Sequence, residues 1–246
     1  QSTVDAIAGL QSELDLINKH LEVIDDIDNV DQMFKYLSVD LQKYGKITKL
    51  DDNNYTYTKF DPNQYSIVIV DTINALPSTK GESDNYNAVK KWSEIYTKIH
   101  LSKRFKCITI NCQQFDNSLQ ARQYSNSGLK IDEKHEPNLG ALSTVKTTPM
   151  DHTLVIALSK PSQFKITSCD GYDIKQLGDY FLKINIMKNT FGQSGPNIST
   201  HLYIDGATGN FEELPLSVNK AALENFMNSK GLNKLVVNKA SENYLI

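Results

Sequence analysis

Tyr65-Ser66-Ile67-Val68-Ile69-Val70-Asp71 is an unbroken apolar run that ends in a carboxylate, and a second apolar run, Phe105–Cys112, follows about forty residues later. Runs without polar alternation suit strands buried on both faces, as in a parallel sheet. Between them a polar loop, Pro77–Asn85, leads into a helical stretch from about Asn87 to Lys103 that holds the sole tryptophan, Trp92. Strand, helix and strand at this spacing form a βαβ unit, which makes the two strands parallel neighbours. The expectation is an α/β fold with a mostly parallel central sheet flanked by helices. The two runs should be adjacent and central in it.

The flanking segments add antiparallel elements. Val4–Asn18 has amphipathic helical spacing, and His20–Asp26 reads as a short strand ending in acids. Asp31–Tyr44 reads as a helix stopped by Gly45, and Lys46–Phe60 as a hairpin around Asp51-Asp52-Asn53-Asn54. Asp116–Asn138 is polar and aperiodic, a length of loop that usually carries function. Strands are expected at Thr153–Ser159, Tyr180–Met187, Ser199–Asp205 and Phe211–Leu214, the last two joined by a Gly206–Asn210 turn. A helix at Lys220–Ser229 closes the pattern. Residues 1–215 are expected to form one nucleotide-binding core and 216–246 a helical extension.

Composition excludes several classes. With 39% hydrophobic and 22% charged residues, the 246-residue chain can build a core. Its longest apolar runs are too short to cross a bilayer, so no membrane partner is expected. The amino terminus has no basic start and no long apolar stretch, so no signal peptide is read there. It also lacks an initiator Met, which fits a cleavage product or a fragment of something longer. Cys107, Cys112 and Cys169 are odd in number and irregular in spacing, which fits a reducing cytosol. Five scattered histidines form no metal-ligand pair. A net charge of −3 decides nothing about nucleic acid.

Two strand ends carry the chemistry. An acid at the carboxyl end of a buried strand faces the ligand crevice in α/β folds, where it can hold the water shell of a phosphate-bridging Mg²⁺. Asp71 occupies that position, although an Asp there also fits a helix cap or an ordered loop. The second run ends Asn111-Cys112-Gln113-Gln114. Gln113 can bond a terminal phosphate and report its loss to the loop beyond; it also fits a plain polar strand end.

In this order the motifs resemble the motor domain of DnaB-type replicative helicases, a RecA-like fold. That family has a strand ending in Asp, a helix and a strand ending in Gln. An S-L-x-x-R segment follows, read here as Ser118-Leu119-Gln120-Ala121-Arg122. The stretch Leu139–Asp151 stands where the family has L-S-D-L-R-E-S-G-S-I-E-Q-D-A-D, agreeing at Leu139, Leu142 and Asp151 but not at the Arg-Glu or the Gly. Lys188-Asn189-Thr190-Phe191-Gly192 matches the late K-x-R-x-G element, and the opening helix with Val23–Asp26 agrees too. The series covers roughly residues 1–215. It implies a ring-shaped motor, a hexamer, bound to ATP and Mg²⁺ between subunits and acting on single-stranded DNA. The same resemblance implies primase or a loader as partner, and the cytoplasm of a bacterial or phage-infected cell. Asp71, Gln113 and Lys188 would be catalytic, and Thr190 would lie beside the nucleotide. Arg122, Lys130 and Lys134, with Lys103, Arg104, Lys106 and Tyr124, are the DNA candidates.

Two departures stand out. No G-x-x-x-x-G-K-[ST] pattern occurs in the chain; Gly45-Lys46 is followed by Ile47. Without those glycines and that Lys no backbone cradle for phosphates forms. Thr190 stands where the family presents an arginine finger, and a hydroxyl cannot supply that charge. A degenerate relative with a DNA-binding or assembly role and no hydrolysis is the alternative.

Overall fold

The structure, a computed structural model, describes residues 3–51, 54–78, 85–115, 139, 142, 145, 147–164, 166–195 and 198–232, with backbone alone for 3–10. The chain runs through α1 (Thr3–His20), α2 (Val30–Asp40), β1 (Gly45–Lys49), β2 (Tyr55–Lys59), β3 (Ile67–Val70) and α3 (Asn85–Lys91). It continues through α4 (Trp92–Arg104), β4 (Ile108–Asn111), α5 (Thr148–Asp151), β5 (Leu154–Ser159), β6 (Ser168–Cys169) and β7 (Tyr172–Asp173). The last elements are α6 (Ile174–Leu177), β8 (Phe181–Asn189), β9 (Ser199–Asp205), β10 (Asn210–Glu213) and α7 (Lys220–Ser229).

The βαβ unit forms as expected at its centre. β3 and β4 are parallel, with Ile67 opposite Ile108 and Val70 opposite Asn111. α3 and α4 make one continuous helical stretch between them, but its second part is wound in the wider π manner; Phe105 N–H reaches back five residues to His100 O at 2.9 Å. The expected burial on both faces is not met. Val70 is buried, whereas Ile67 and Ile69 are 57% and 61% exposed and Ile108 and Ile110 are 47% and 46% exposed. Nor are the strands central: among the described residues the pair stands alone as a two-stranded sheet. The other large sheet is antiparallel, in the order β10-β9-β8-β5. The molecule is mixed α/β, with small sheets in place of the one continuous parallel sheet expected.

Two apolar cores hold these parts. The first gathers Val30, Leu41, Val70, Ile73, Val89, Trp92, Leu101 and Phe105, so α2, β3 and the α3–α4 helix share it. Phe34 stacks on Tyr96 with centroids 4.4 Å apart and meets Phe105 edge-on. The β1–β2 hairpin closes one side. Tyr57 Oη donates to Leu41 O at 2.8 Å, and its ring lies where a Cβ on Gly45 would stand, which leaves no room for a side chain there. The second core contains Tyr172, Ile174, Leu177, Phe181, Tyr203, Leu214 and Met227, joining α6, the antiparallel sheet and α7.

Several local expectations change in the fold. His20–Asp26 is not a strand: His20 ends α1, and Leu21 and Val23 are 58% and 78% exposed. An extended segment becomes a strand only when another backbone pairs with it. α2 is capped by Asn29, whose Oδ1 accepts from Asp31 N–H and Gln32 N–H, and not by Asp31. The β6–β7 hairpin is an addition to the expected elements, although Asp170-Gly171 signals it; both residues have positive φ, 49° and 82°, as a tight two-residue turn demands.

Asp31 serves a different purpose. Its carboxylate accepts from Lys91 Nζ at 2.8 Å and from the Tyr96 hydroxyl, tying α2 to the α3–α4 helix. These bonds, led by Lys91, hold its carboxyl below the usual carboxylate value. A depressed acid stabilises the fold above its unfolded pKa, near 3.9, and that contribution disappears as pH falls through the lower folded value. Asp31→Asn is therefore expected to flatten the acid limb of the stability curve below about pH 4 while shifting the neutral-pH midpoint little. Urea titrations across that range check it; an unchanged acid limb would show that the pair is not coupled to folding.

Candidate functional site

Parallel pairing brings the two strand ends together. With Val70 opposite Asn111, Asp71 and Cys112 emerge side by side, and Gln113 is one residue further on. The loops after them are tied by backbone bonds: Cys112 N–H donates to Val70 O, and Ile73 N–H to Cys112 O, both at 2.9 Å. Thr72 Oγ1 also donates to Cys112 O, at 2.8 Å. Asn74 Oδ1 accepts from Gln114 N–H at 2.7 Å, so the β3 loop holds the β4 loop. The Asp71–Thr72 peptide is cis.

Asp71 is exposed at this rim, where a ligand can reach its carboxylate. Burial pushes the neighbouring Cys112 thiol up, and the Asp71 charge pushes it the same way, so the thiolate is scarce beside that carboxylate. Gln113 is half-buried and donates from Nε2 to Val145 O at 3.2 Å. Its amide is thereby aimed at the segment leading into α5.

Lys188 and Thr190 lie on the other sheet, at the end of β8. Lys188 Nζ donates to the Pro149 and Met150 carbonyls, at 2.8 and 3.3 Å, so its charge sits on the last turn of α5. Thr190 is exposed, and its N–H donates to Thr153 O at 2.9 Å. These bonds hold both residues to the α5–β5 connection. Among the DNA candidates Lys103 and Lys106 are exposed, while Arg104 lies over the Tyr55 ring, 4.8 Å from its centroid. Arg122, Lys130, Lys134 and Tyr124 lie outside the described residues.

Sequence reading missed the polar cluster behind the strand ends. Asn111 Oδ1 accepts from the Trp92 indole at 3.0 Å, and its Nδ2 donates to Thr97 Oγ1 at 3.3 Å and to His152 Nε2 at 2.9 Å. The indole can only donate, which fixes the orientation of the Asn111 amide. His152 Nδ1 lies 2.9 Å from Thr148 O and must be its donor, which leaves Nε2 as acceptor for Asn111. Asp151 is nearly buried and accepts from Ser93 Oγ at 3.0 Å and Lys98 Nζ at 2.8 Å. The Asp151-His152 pair thus fastens the start of β5 to α4 and to the end of β4. Of these residues the sequence marks only Asp151, and for another reason.

The residues present fit part of a Mg²⁺–nucleotide site. Mg²⁺ keeps most of its waters and needs one or two carboxylates plus substrate phosphates, which the exposed Asp71 can serve. No cluster of three or more His, Cys, Asp or Glu fit to hold a bare metal occurs among the described residues. The phosphates themselves have no backbone cradle, because the sequence lacks the glycine pattern that makes one. No described helix is long and apolar enough to cross a membrane.

No protein-family model matches the chain, and no curated protein does. Solved structures do. The ATPase domain of one DnaB-like helicase matches with a TM-score of 0.52 at 15% identity, over 76% of this chain and 52% of that one. A DnaB-like replicative helicase, from a structure that concerns its interactions with primase, matches with a TM-score of 0.54 at 14% identity, over 79% of this chain and 38% of that one. The fold is that of DnaB-like helicase ATPase domains, at a sequence distance where fold alone is shared. The chain spans about half or less of the length of the structures it matches.

Proposed function

We propose that this chain is the later part of an ATP-driven DNA helicase motor subunit of DnaB type, working as a ring with nucleotide held between subunits. The observation that carries this reading is the pairing of Asp71 and Gln113 at the carboxyl ends of adjacent parallel strands. In an open α/β sheet a ligand crevice lies there. Asp71 would hold the water shell of Mg²⁺, and Gln113 would sense the terminal phosphate and pass its loss to Val145 and α5. The polypeptide that cradles the phosphates would be supplied from outside these 246 residues. Lys188 and Thr190 would face the neighbouring subunit's nucleotide, and Arg122, Lys130 and Lys134 would track single-stranded DNA. Primase or a loader is the further partner this reading brings, and a bacterial or phage-infected cytoplasm its setting.

One observation favours a second reading, a subunit that assembles or binds DNA without hydrolysis. The Lys188 charge is engaged by two carbonyls of its own chain, and Thr190 offers no charge at all.

The two are separated by ATP turnover with single-stranded DNA, measured on a form that includes a phosphate-binding segment. Thr190→Arg is expected to raise turnover at least about tenfold, a small part of the about 10³–10⁵ that arginine fingers supply. Lys188→Ala is expected to lower it, with a thermal melt showing that the loss is not one of fold. If neither substitution changes the rate, the element is a plain strand end and the non-hydrolysing reading replaces this one.

A further inference from the structure

Parallel strand pairs put register partners on the same face. Ile67 and Ile108, and Ile69 and Ile110, are such partners, so four isoleucines form one aliphatic surface. All four are between 46% and 61% exposed. The opposite face is covered: Val70 is buried in the first core, and Thr109 Oγ1 lies 3.2 Å from Ser102 Oγ of α4. A parallel pair is normally covered on both faces, and this one is covered on one. Its outer edges also carry no further strand among the described residues.

The bare face, the open edge and the missing phosphate cradle meet at one place. A strand added in parallel along an open edge would end level with Asp71 and Gln113. A helix returning from that end across the four isoleucines would begin there, with the unpaired N–H groups of its first turn turned toward the phosphates. We infer that the Ile67–Ile69–Ile108–Ile110 face is the docking surface for a β-strand–loop–α-helix segment, not among these 246 residues, whose glycine-rich loop completes the site at Asp71. The inference rests on the nucleotide reading given above. Residues 116–138 are polar and hold no apolar run that could cover the face. A second copy of the chain could cover the isoleucines, yet it too lacks the glycine pattern and would leave Asp71 without a cradle.

The test adds a synthetic peptide, an apolar strand followed by a G-x-x-x-x-G-K-S loop and an amphipathic helix, to the 246-residue chain. Binding is followed by titration, by amide hydrogen exchange at β3 and β4 and by retention of a fluorescent ATP analogue. The peptide is expected to bind, to slow exchange at the open-edge amides and to retain the analogue. Ile69→Glu and Ile110→Glu alter exposed side chains, so circular dichroism should stay unchanged. Each should weaken peptide binding at least about tenfold, since a buried aliphatic contact is worth about 1.5–3 kcal/mol. Absence of binding overturns the inference, and so does binding indifferent to both substitutions. Open-edge amides already protected in the chain by itself overturn it too, as does a dimer in sedimentation that Ile110→Glu dissolves. A peptide that docks as expected but retains no analogue leaves the docking surface standing and removes the nucleotide reading.

Discussion

Trp92→Ala is expected to cost about 3–5 kcal/mol of stability, the range for truncating a large buried aromatic side chain. Trp92 has no exposed surface and sits where α3 passes into α4, inside the core shared with Val70, Val89, Leu101 and Phe105. Its ring packs against Tyr96 at 6.1 Å between centroids, and its indole holds Asn111 at the end of β4. Removing it opens a cavity and also leaves Asn111 Oδ1 without its donor. Domains of ordinary stability hold about 5–15 kcal/mol in total, so the β3–β4 half should be close to unfolding. Trp92→Phe separates the two effects: it keeps most of the ring and loses the hydrogen bond, for about 1–3 kcal/mol. Urea unfolding followed by circular dichroism measures both, since the sole tryptophan cannot serve as probe once it is replaced. A wild-type midpoint in Trp92→Ala would mean that the first core does not depend on this helix.

The 246-residue chain alone is expected to show no measurable ATP turnover. Holding reactants in line contributes about 7–11 kcal/mol of a barrier, and without a phosphate cradle nothing holds the β- and γ-phosphates here. Added to a form that carries a phosphate-binding segment, Asp71→Asn should lower turnover by about 10²–10³, the size seen when one preorganised electrostatic group is removed. Asp71 is exposed and Asn has its shape, so the substitution should leave the melting temperature where it was. The contrary result is specific. If the chain alone turned over ATP as fast as the extended form, and Asp71→Asn abolished that activity, the phosphate-binding group would have to lie within these 246 residues.

Where neighbours in sequence are also partners in space, the residues themselves determined the structure. The β1–β2 hairpin follows from alternation on either side of Asp51–Asn54, and the β9–β10 turn from Asp205–Asn210, where Gly209 adopts a φ of 72°. The parallel β3–β4 pair follows from two apolar runs joined by a helix of the right length, and that pair is what sets Asp71 beside Gln113. α7 coincides with the stretch its apolar spacing and Gly231 marked out. Each of these rests on short-range backbone preference or on a connection too short to permit another arrangement.

Only the tertiary structure decided what depends on a distant partner. His20–Asp26 has the look of a strand, but a strand exists only in the hydrogen bonds of another backbone, and none of the described residues supplies them. Asp31 reads as a helix start; Lys91, sixty residues on, makes it an interhelical tie. Lys183 reads as an ordinary surface lysine, yet it is buried in β8 because the Asp170 carboxylate lies 2.8 Å away on the β6–β7 turn. Asn111 and His152 read as unremarkable polar residues until Trp92 and Thr148 fix their orientation. The unbroken apolar runs told that β3 and β4 had two faces fit for burial. They could not tell which face the rest of the molecule would cover, because burial belongs to the packing of whole elements and not to the strand that carries the isoleucines.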